Sequence, residues 1–113
     1  MTQIITPLNS TIGLTTISSE ELKSLIKTEV DFSLIDVRTT EEHATTNLGG
    51  KLIPLAELAN HLDTLDKQKL TIVYCKSGKR SAHAVLLLKR AGFEQVLSLL
   101  GGIEAWCISS PLR

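Results

Sequence analysis

Short apolar runs separated by helix-like patterns predict strands and helices that alternate along the chain. Phe32 to Val37, Leu70 to Tyr74 and Val96 to Leu99 are apolar runs of strand type, and Leu52–Ile53 is a briefer one. Runs of this length that are bounded by polar residues are typical of buried strands. The pattern therefore predicts four strands at these positions.

Helical patterns fill the stretches between the strands. Ser18 and Glu21 have the spacing of a capping box, and Leu22 and Leu25 follow on one helical face, which predicts a helix over 19–27. The other predicted helical segments are a short turn capped by Thr40, a helix over about 55–62, a helix over 81–91 that stops at Gly92, and a last short helix containing Trp106.

Alternation of this kind, with connections long enough for crossovers, predicts an α/β fold in which helices cover both faces of a mainly parallel sheet. Asp36, Arg38 and Cys75 each fall at or just after the end of a predicted strand. Sites in such sheets form at the carboxyl ends of the strands. We therefore expect these three residues near one rim of the sheet.

Length and composition fit a single domain. The 113 residues are 42% apolar, which is enough to fill one core and leaves no room for a second domain. The first fourteen residues show no sustained period and include Pro7. We expect a flexible N-terminal arm over 1–14 and one domain over 15–113.

Charge and hydropathy bear on partners and location. Twelve Lys plus Arg balance twelve Asp plus Glu, so we expect neither nucleic acid nor a membrane surface as a partner. Met1 is not followed by a basic segment, and no apolar stretch reaches the roughly eighteen residues of a membrane helix. The expected location is the cytoplasm, where reducing conditions favour free thiols at Cys75 and Cys107.

The segment that carries chemistry is the loop from Cys75 to Arg80, between a strand and a helix. Such a loop can curl its backbone N–H groups around the sulfur of its first residue and form an anion nest. Lowering a thiol pKa by two units takes about 2.7 kcal/mol. We expect amide hydrogen bonds and the charges of Lys76, Lys79 and Arg80 to supply it. Gly78 is expected to take a left-handed conformation in the ring.

Other readings remain for single residues. Cys75 could instead be a small buried core residue, and Cys107 could either pack in its helix or act as a resolving thiol that forms a disulfide with Cys75. His43 and His83 have no second ligand at metal spacing, so we predict solvated or helix-face histidines, with no metal site and no cofactor.

Three blocks of the sequence resemble single-domain rhodaneses. They are Cys75 to Ser81, which resembles the active-site loop written Cys-Arg-x-Gly-x-Arg-Ser, Leu34 to Arg38 followed by Glu42, and Leu100-Gly101-Gly102 followed by Trp106. The likeness covers about residues 15–111. The segment Gly49 to Leu55 is also similar to rhodanese domains attached to ubiquitin-like-protein-activating enzymes of sulfur relay pathways.

The resemblance implies a rhodanese-like three-layer fold with five parallel strands, and a sulfurtransferase. Its catalytic thiolate, Cys75, takes a sulfane sulfur from thiosulfate or a protein persulfide and hands it to a thiol, cyanide or a sulfur-carrier protein. Arg80 and Lys76 orient an anionic donor, and Asp36 and Arg38 support the neighbouring loops. The substrate-binding residues implied are Lys76, Ser77, Gly78, Lys79, Arg80 and Ser81.

Two departures from the family pattern and two alternative functions stay open. Lys76 stands where the family often has Arg, and a lysine offers a point charge in place of a flat fork. Asn47-Leu48-Gly49 stands where many members have His-Ile-Pro. A cysteine phosphatase or arsenate reductase is one alternative, although such enzymes usually place five residues between Cys and Arg, where this chain has four. A non-catalytic binding or redox-sensing module is the other.

Overall fold

The computed structural model describes residues 15–109, which form a five-stranded parallel sheet between two layers of helices. The spatial order of the strands is β1-β5-β4-β2-β3. The strands are β1 (Thr16–Ile17), β2 (Ser33–Asp36), β3 (Lys51–Leu52), β4 (Thr71–Tyr74) and β5 (Val96–Leu99). The helices are α1 (Ser19–Lys27), α2 (Thr40–Thr45), a 3₁₀ helix (Leu55–Thr64), α3 (Lys79–Arg90) and α4 (Gly102–Ser109).

The two faces of the sheet carry separate halves of the core. Successive side chains of a strand point to opposite faces, so Val73 packs with Leu58 of the 3₁₀ helix and Val85 of α3. Its neighbour Tyr74 packs on the other face with Leu22 of α1. Because both faces are covered, every residue of β4 and β5 is buried. The predicted architecture is confirmed.

Several elements differ in detail from their predictions. The predicted helix over 55–62 is a 3₁₀ helix, Leu55–Thr64. Leu55 and Leu58 of this helix are spaced by three, and they contact the same core as Leu62 near its end and Leu65 just after it. Three residues per turn place Leu55 and Leu58 on one side of the helix. Strand β1 was not predicted, because Thr16–Ile17 is a two-residue strand with only one apolar residue, and it adjoins a segment of loop composition. The predicted arm over 1–14 lies outside the described residues and stays a prediction.

Candidate active site

The candidate site lies at the carboxyl edge of the sheet, where β2 and β4 end side by side. Asp36, the last residue of β2, is in register with Tyr74, the last residue of β4. Arg38 lies two residues after the end of β2, and Cys75 directly follows β4. The parallel register therefore brings the three residues that end the predicted strands to one rim.

The loop after β4 forms a ring of donors around the Cys75 sulfur. The backbone N–H of Gly78 donates to Sγ at 3.0 Å, and that of Ser81 donates at 3.3 Å. Gly78 has a φ of 109°, in the left-handed region that favours glycine. A Cβ at this position would have room, since the nearest atom is 3.6 Å away. The need for glycine therefore comes from the backbone conformation.

The first turn of α4 holds the loop from behind. The backbone N–H groups of Ile103 and Glu104 donate to the carbonyl oxygens of Cys75 and Lys76 at 2.9 and 3.1 Å. A peptide's N–H points opposite to its C=O, so the Lys76 carbonyl turned toward α4 leaves the N–H of Ser77, in the same peptide, facing the sulfur. Gly102 makes this approach possible, because a Cβ there would lie 2.5 Å from the Cys75 carbonyl oxygen.

Hydrogen bonds lower the pKa of the Cys75 thiol, although its burial acts in the opposite direction. Only 1% of the residue is exposed, and burial raises the pKa of the thiol. Hydrogen bonds from the Ser81 hydroxyl and from the backbone N–H groups of Ser81, Gly78 and Ser77 outweigh this effect, so the pKa of Cys75 is lowered. The ring thus favours a charged sulfur.

The cations of the loop lie outside this ring. The Arg80 guanidinium binds the Glu42 carboxylate through two hydrogen bonds of 2.7 and 2.9 Å, which joins α3 to α2. This partner lowers the pKa of Glu42 to about 2. Lys76 is 62% exposed and lies 3.9 Å from Glu104, and Lys79 is exposed. The lysines keep their charges at the surface of the loop, beside the buried sulfur.

Asp36 is the centre of a buried polar cluster next to the loop. It is fully buried and accepts hydrogen bonds from the Arg38 backbone N–H and Nε at 2.9 Å and from Nη2 at 2.8 Å. His43 Nδ1 lies 2.8 Å from Oδ2, the carboxylate oxygen that also accepts from Arg38 Nη2. Burial raises the pKa of Asp36, but these partners outweigh it and lower that pKa. Arg38 Nη2 also donates to the Thr46 carbonyl oxygen at 2.6 Å.

Sequence reasoning missed His43 and Tyr74 as members of the site. His43 is half-buried against Asp36 and is not simply a solvated helix-face residue. The Tyr74 hydroxyl accepts from the Leu48 N–H at 2.9 Å and donates to the Gly49 carbonyl oxygen at 3.3 Å. Asn47 closes the same loop, since its Oδ1 accepts from the Gly49 N–H at 2.8 Å. The segment that departs from the family pattern is therefore held in place by side chains.

A cleft of about 660 Å³ opens between α2 and α4 beside the loop. Arg38, Thr46, Lys76, Ile103, Cys107 and Ile108 contribute to its walls. Cys75 and Cys107 are both free thiols, the first buried and the second exposed.

Within residues 15–109, no three His, Cys, Asp or Glu side chains are grouped so that they could hold a metal ion. None of the helices in that range is long and apolar enough to span a bilayer.

Known proteins resemble this chain in sequence and in structure. Residues 18–109 match the family described as the rhodanese-like domain. The probable adenylyltransferase/sulfurtransferase MoeZ of Mycobacterium tuberculosis is 37% identical over 94 residues, which cover 80% of this chain and 24% of MoeZ. The thiosulfate sulfurtransferase GlpE of Coxiella burnetii is 32% identical over 96 residues, which cover 84% of this chain and 89% of GlpE.

A solved structure shows the same fold. The crystal structure of a rhodanese-like domain protein from Staphylococcus aureus superposes with a TM-score of 0.76 at 31% identity and covers 81% of this chain and 90% of that one. The two relatives differ in length. This chain spans about a quarter of MoeZ and nearly nine tenths of GlpE.

Proposed function

Since the chain belongs to the rhodanese-like domain family, whose relatives include sulfurtransferases, we propose that it carries a sulfane sulfur as a persulfide on Cys75. The observation that supports this most directly is the ring of N–H donors aimed at Sγ. A thiolate and the terminal sulfur of a persulfide are both anions, and hydrogen bonds from amides stabilise anions. The same ring can serve both states.

The proposed cycle has two displacements. The Cys75 thiolate attacks the sulfane sulfur of thiosulfate, a new S–S bond forms, and the old one breaks so that sulfite leaves with the electron pair. A nucleophilic acceptor then attacks the outer sulfur of the persulfide, and the Cys75 thiolate leaves. Cyanide yields thiocyanate, and a thiol acceptor yields a new persulfide. No external oxidant or reductant is needed.

The donor is proposed to be thiosulfate or the persulfide of another protein. The name of GlpE, thiosulfate sulfurtransferase, supports the first. The acceptor is proposed to be a thiol or a sulfur-carrier protein, and the combined adenylyltransferase and sulfurtransferase name of MoeZ supports a place in a sulfur relay. The cleft of about 660 Å³ between α2 and α4, which Lys76 of the loop helps to line, is the place proposed for the acceptor's thiol to approach.

One experiment tests the persulfide directly. The purified protein is incubated with thiosulfate, and its intact mass is measured before and after reduction. We expect one added sulfur, located by fragmentation on the peptide that contains Cys75 and removed by a thiol reductant. A Cys107→Ser variant should accept the same load. An unchanged mass, together with hydrolysis of an aryl phosphate, would support a cysteine phosphatase instead, and an unchanged mass alone would support a binding module.

The positive charge of Lys76 is proposed to attract an anionic donor. Arg80 is already neutralised by Glu42, whereas Lys76 is exposed and only 3.9 Å from a single carboxylate oxygen of Glu104. We expect Lys76→Ala to raise the KM for thiosulfate about fivefold with little change in kcat, because one exposed charge is worth roughly 1 kcal/mol.

Steady-state formation of thiocyanate measures this effect. Lys76→Arg should restore the wild-type KM or lower it, since a guanidinium can bind an oxyanion through two donors. Lys89→Ala, at the far end of α3, is the matched control and should change neither constant. An unchanged KM in Lys76→Ala would contradict the role proposed for this lysine.

A further inference from the structure

A pair of buried hydroxyls lies behind the Cys75 sulfur. Ser81 is in the first turns of α3 and Ser98 is on β5, and their Oγ atoms are 2.6 Å apart. The two residues are 0% and 3% exposed. Ser98 is in register with Val73, two residues before Cys75 on the neighbouring strand. The Ser81 Oγ lies 3.5 Å from Sγ.

The direction of the bond between the two serines follows from counting protons. A hydroxyl has one proton to donate. Ser81 Oγ is near three acceptors, which are Sγ at 3.5 Å, the Gly78 carbonyl oxygen at 3.2 Å and the Ser98 Oγ. Among residues 15–109, Ser81 is the one side chain that the Ser98 hydroxyl bonds. If Ser81 donated to Ser98, the buried Ser98 proton would have no acceptor, which is costly.

We propose that Ser98 is a positioning residue that donates to Ser81 Oγ and thereby leaves the Ser81 proton available to the charged sulfur of Cys75. When the sulfur is a thiol, it can donate a hydrogen bond to Ser81 Oγ, while the Ser81 hydroxyl donates to the Gly78 carbonyl oxygen. When the sulfur is an anion, the Ser81 proton turns to it. Each bond in such a chain polarises the next. The role rests on the proposed function of Cys75 but concerns the thiolate itself.

The titratable groups on the elements packed around the loop are the same in the wild type and in a Ser98 variant. They are Lys76, Lys79 and Arg80 of the loop and α3, Asp36, Arg38, Glu42 and His43 of the β2–α2 segment, and Glu104 of α4. Ser98 reaches the site from β5, on which no charged residue lies. A change in the ionisation of Cys75 in a Ser98 variant therefore reports on the hydroxyl.

The pH dependence of Cys75 alkylation tests the proposal. All variants carry Cys107→Ser, so that iodoacetamide reports on Cys75 only. We expect Ser98→Ala to move the midpoint of the rate profile upward and to lower the rate below that midpoint about fivefold, the effect of one lost hydrogen bond. Ser98→Thr keeps the hydroxyl and should stay near the starting profile.

Two further variants distinguish a positioning role of Ser98 from a general disruption of the fold. In a Ser81→Ala background, Ser98→Ala should have no further effect on the midpoint, because the group through which it acts is gone. Thr71→Val removes another buried hydroxyl, which donates to the Lys69 carbonyl oxygen at 3.0 Å, and should leave the midpoint in place. A midpoint unmoved by Ser98→Ala, or moved equally without Ser81, would overturn the proposal.

The same experiment distinguishes this inference from the proposed function. Alkylation needs no sulfur donor, so a protein that takes no sulfur from thiosulfate could still show the Ser98 effect. In that case the role of the two hydroxyls in favouring the Cys75 thiolate would stand, while the proposal of sulfur transfer would be rejected. Loss of the Ser98 effect in a protein that does load sulfur would reject only the positioning role.

Discussion

A Cys75→Ser variant is expected to lose sulfur transfer, by at least about a thousandfold in kcat. Serine fits the buried position and its oxygen can accept the same two N–H bonds, which are 3.0 and 3.3 Å long to the sulfur. However, an alcohol does not ionise near neutral pH even inside such a ring, and an oxygen cannot carry the sulfane sulfur as a persulfide. The loss is therefore chemical, and the fold should remain intact.

Thiocyanate formation from thiosulfate and cyanide measures the loss, and circular dichroism monitors the fold. Cys107→Ser is the matched control, because it makes the same substitution at the exposed thiol in the cleft and should keep at least half of the activity. Activity that survives in Cys75→Ser and disappears when both cysteines are replaced would show that Cys107 is the sulfur carrier.

The ring around Cys75 could be predicted because its parts are local. A strand end, a glycine in the left-handed region and the start of a helix follow one another within a few residues, and backbone N–H groups are present whatever the side chains. The positive φ of Gly78 and the N–H bonds to the sulfur agree with that reasoning. Local sequence also contained the capping signals, such as Ser18 with Glu21 at the start of α1.

Contacts between distant elements could not be predicted in the same way. The sequence suggested that the charge of Arg80 acts on the thiol, and the two groups do attract each other, but the hydrogen bonds of the guanidinium go to Glu42, 38 residues away, because α2 folds over the end of β2. The contact between His43 and Asp36 has the same origin. Ser98 gave no signal, since a serine in an apolar strand has meaning only once its neighbour across the sheet is known.

Asp36→Asn is expected to lower the free energy of unfolding by roughly 3 kcal/mol, because it leaves the buried charge of Arg38 without a counter-ion. Asp36 and Arg38 are 0% and 3% exposed, so water cannot replace the lost carboxylate. An asparagine amide would also turn donor atoms toward partners that are donors themselves. Urea unfolding followed by circular dichroism measures the change.

A surface ion pair supplies the matched control. Asp31→Asn makes the same substitution 3.0 Å from Lys69, where the carboxylate is 86% exposed, and should change the free energy of unfolding by less than about 0.5 kcal/mol.

Because the pKa of Asp36 is lowered in the fold, its carboxylate stabilises the protein fully above about pH 4, the usual pKa of an unfolded aspartate, and less as the pH falls further. The difference between wild type and Asp36→Asn should therefore shrink at acid pH. A difference that stays constant down to pH values where the carboxyl is protonated would mean that the variant is destabilised by altered packing and not by the loss of charge.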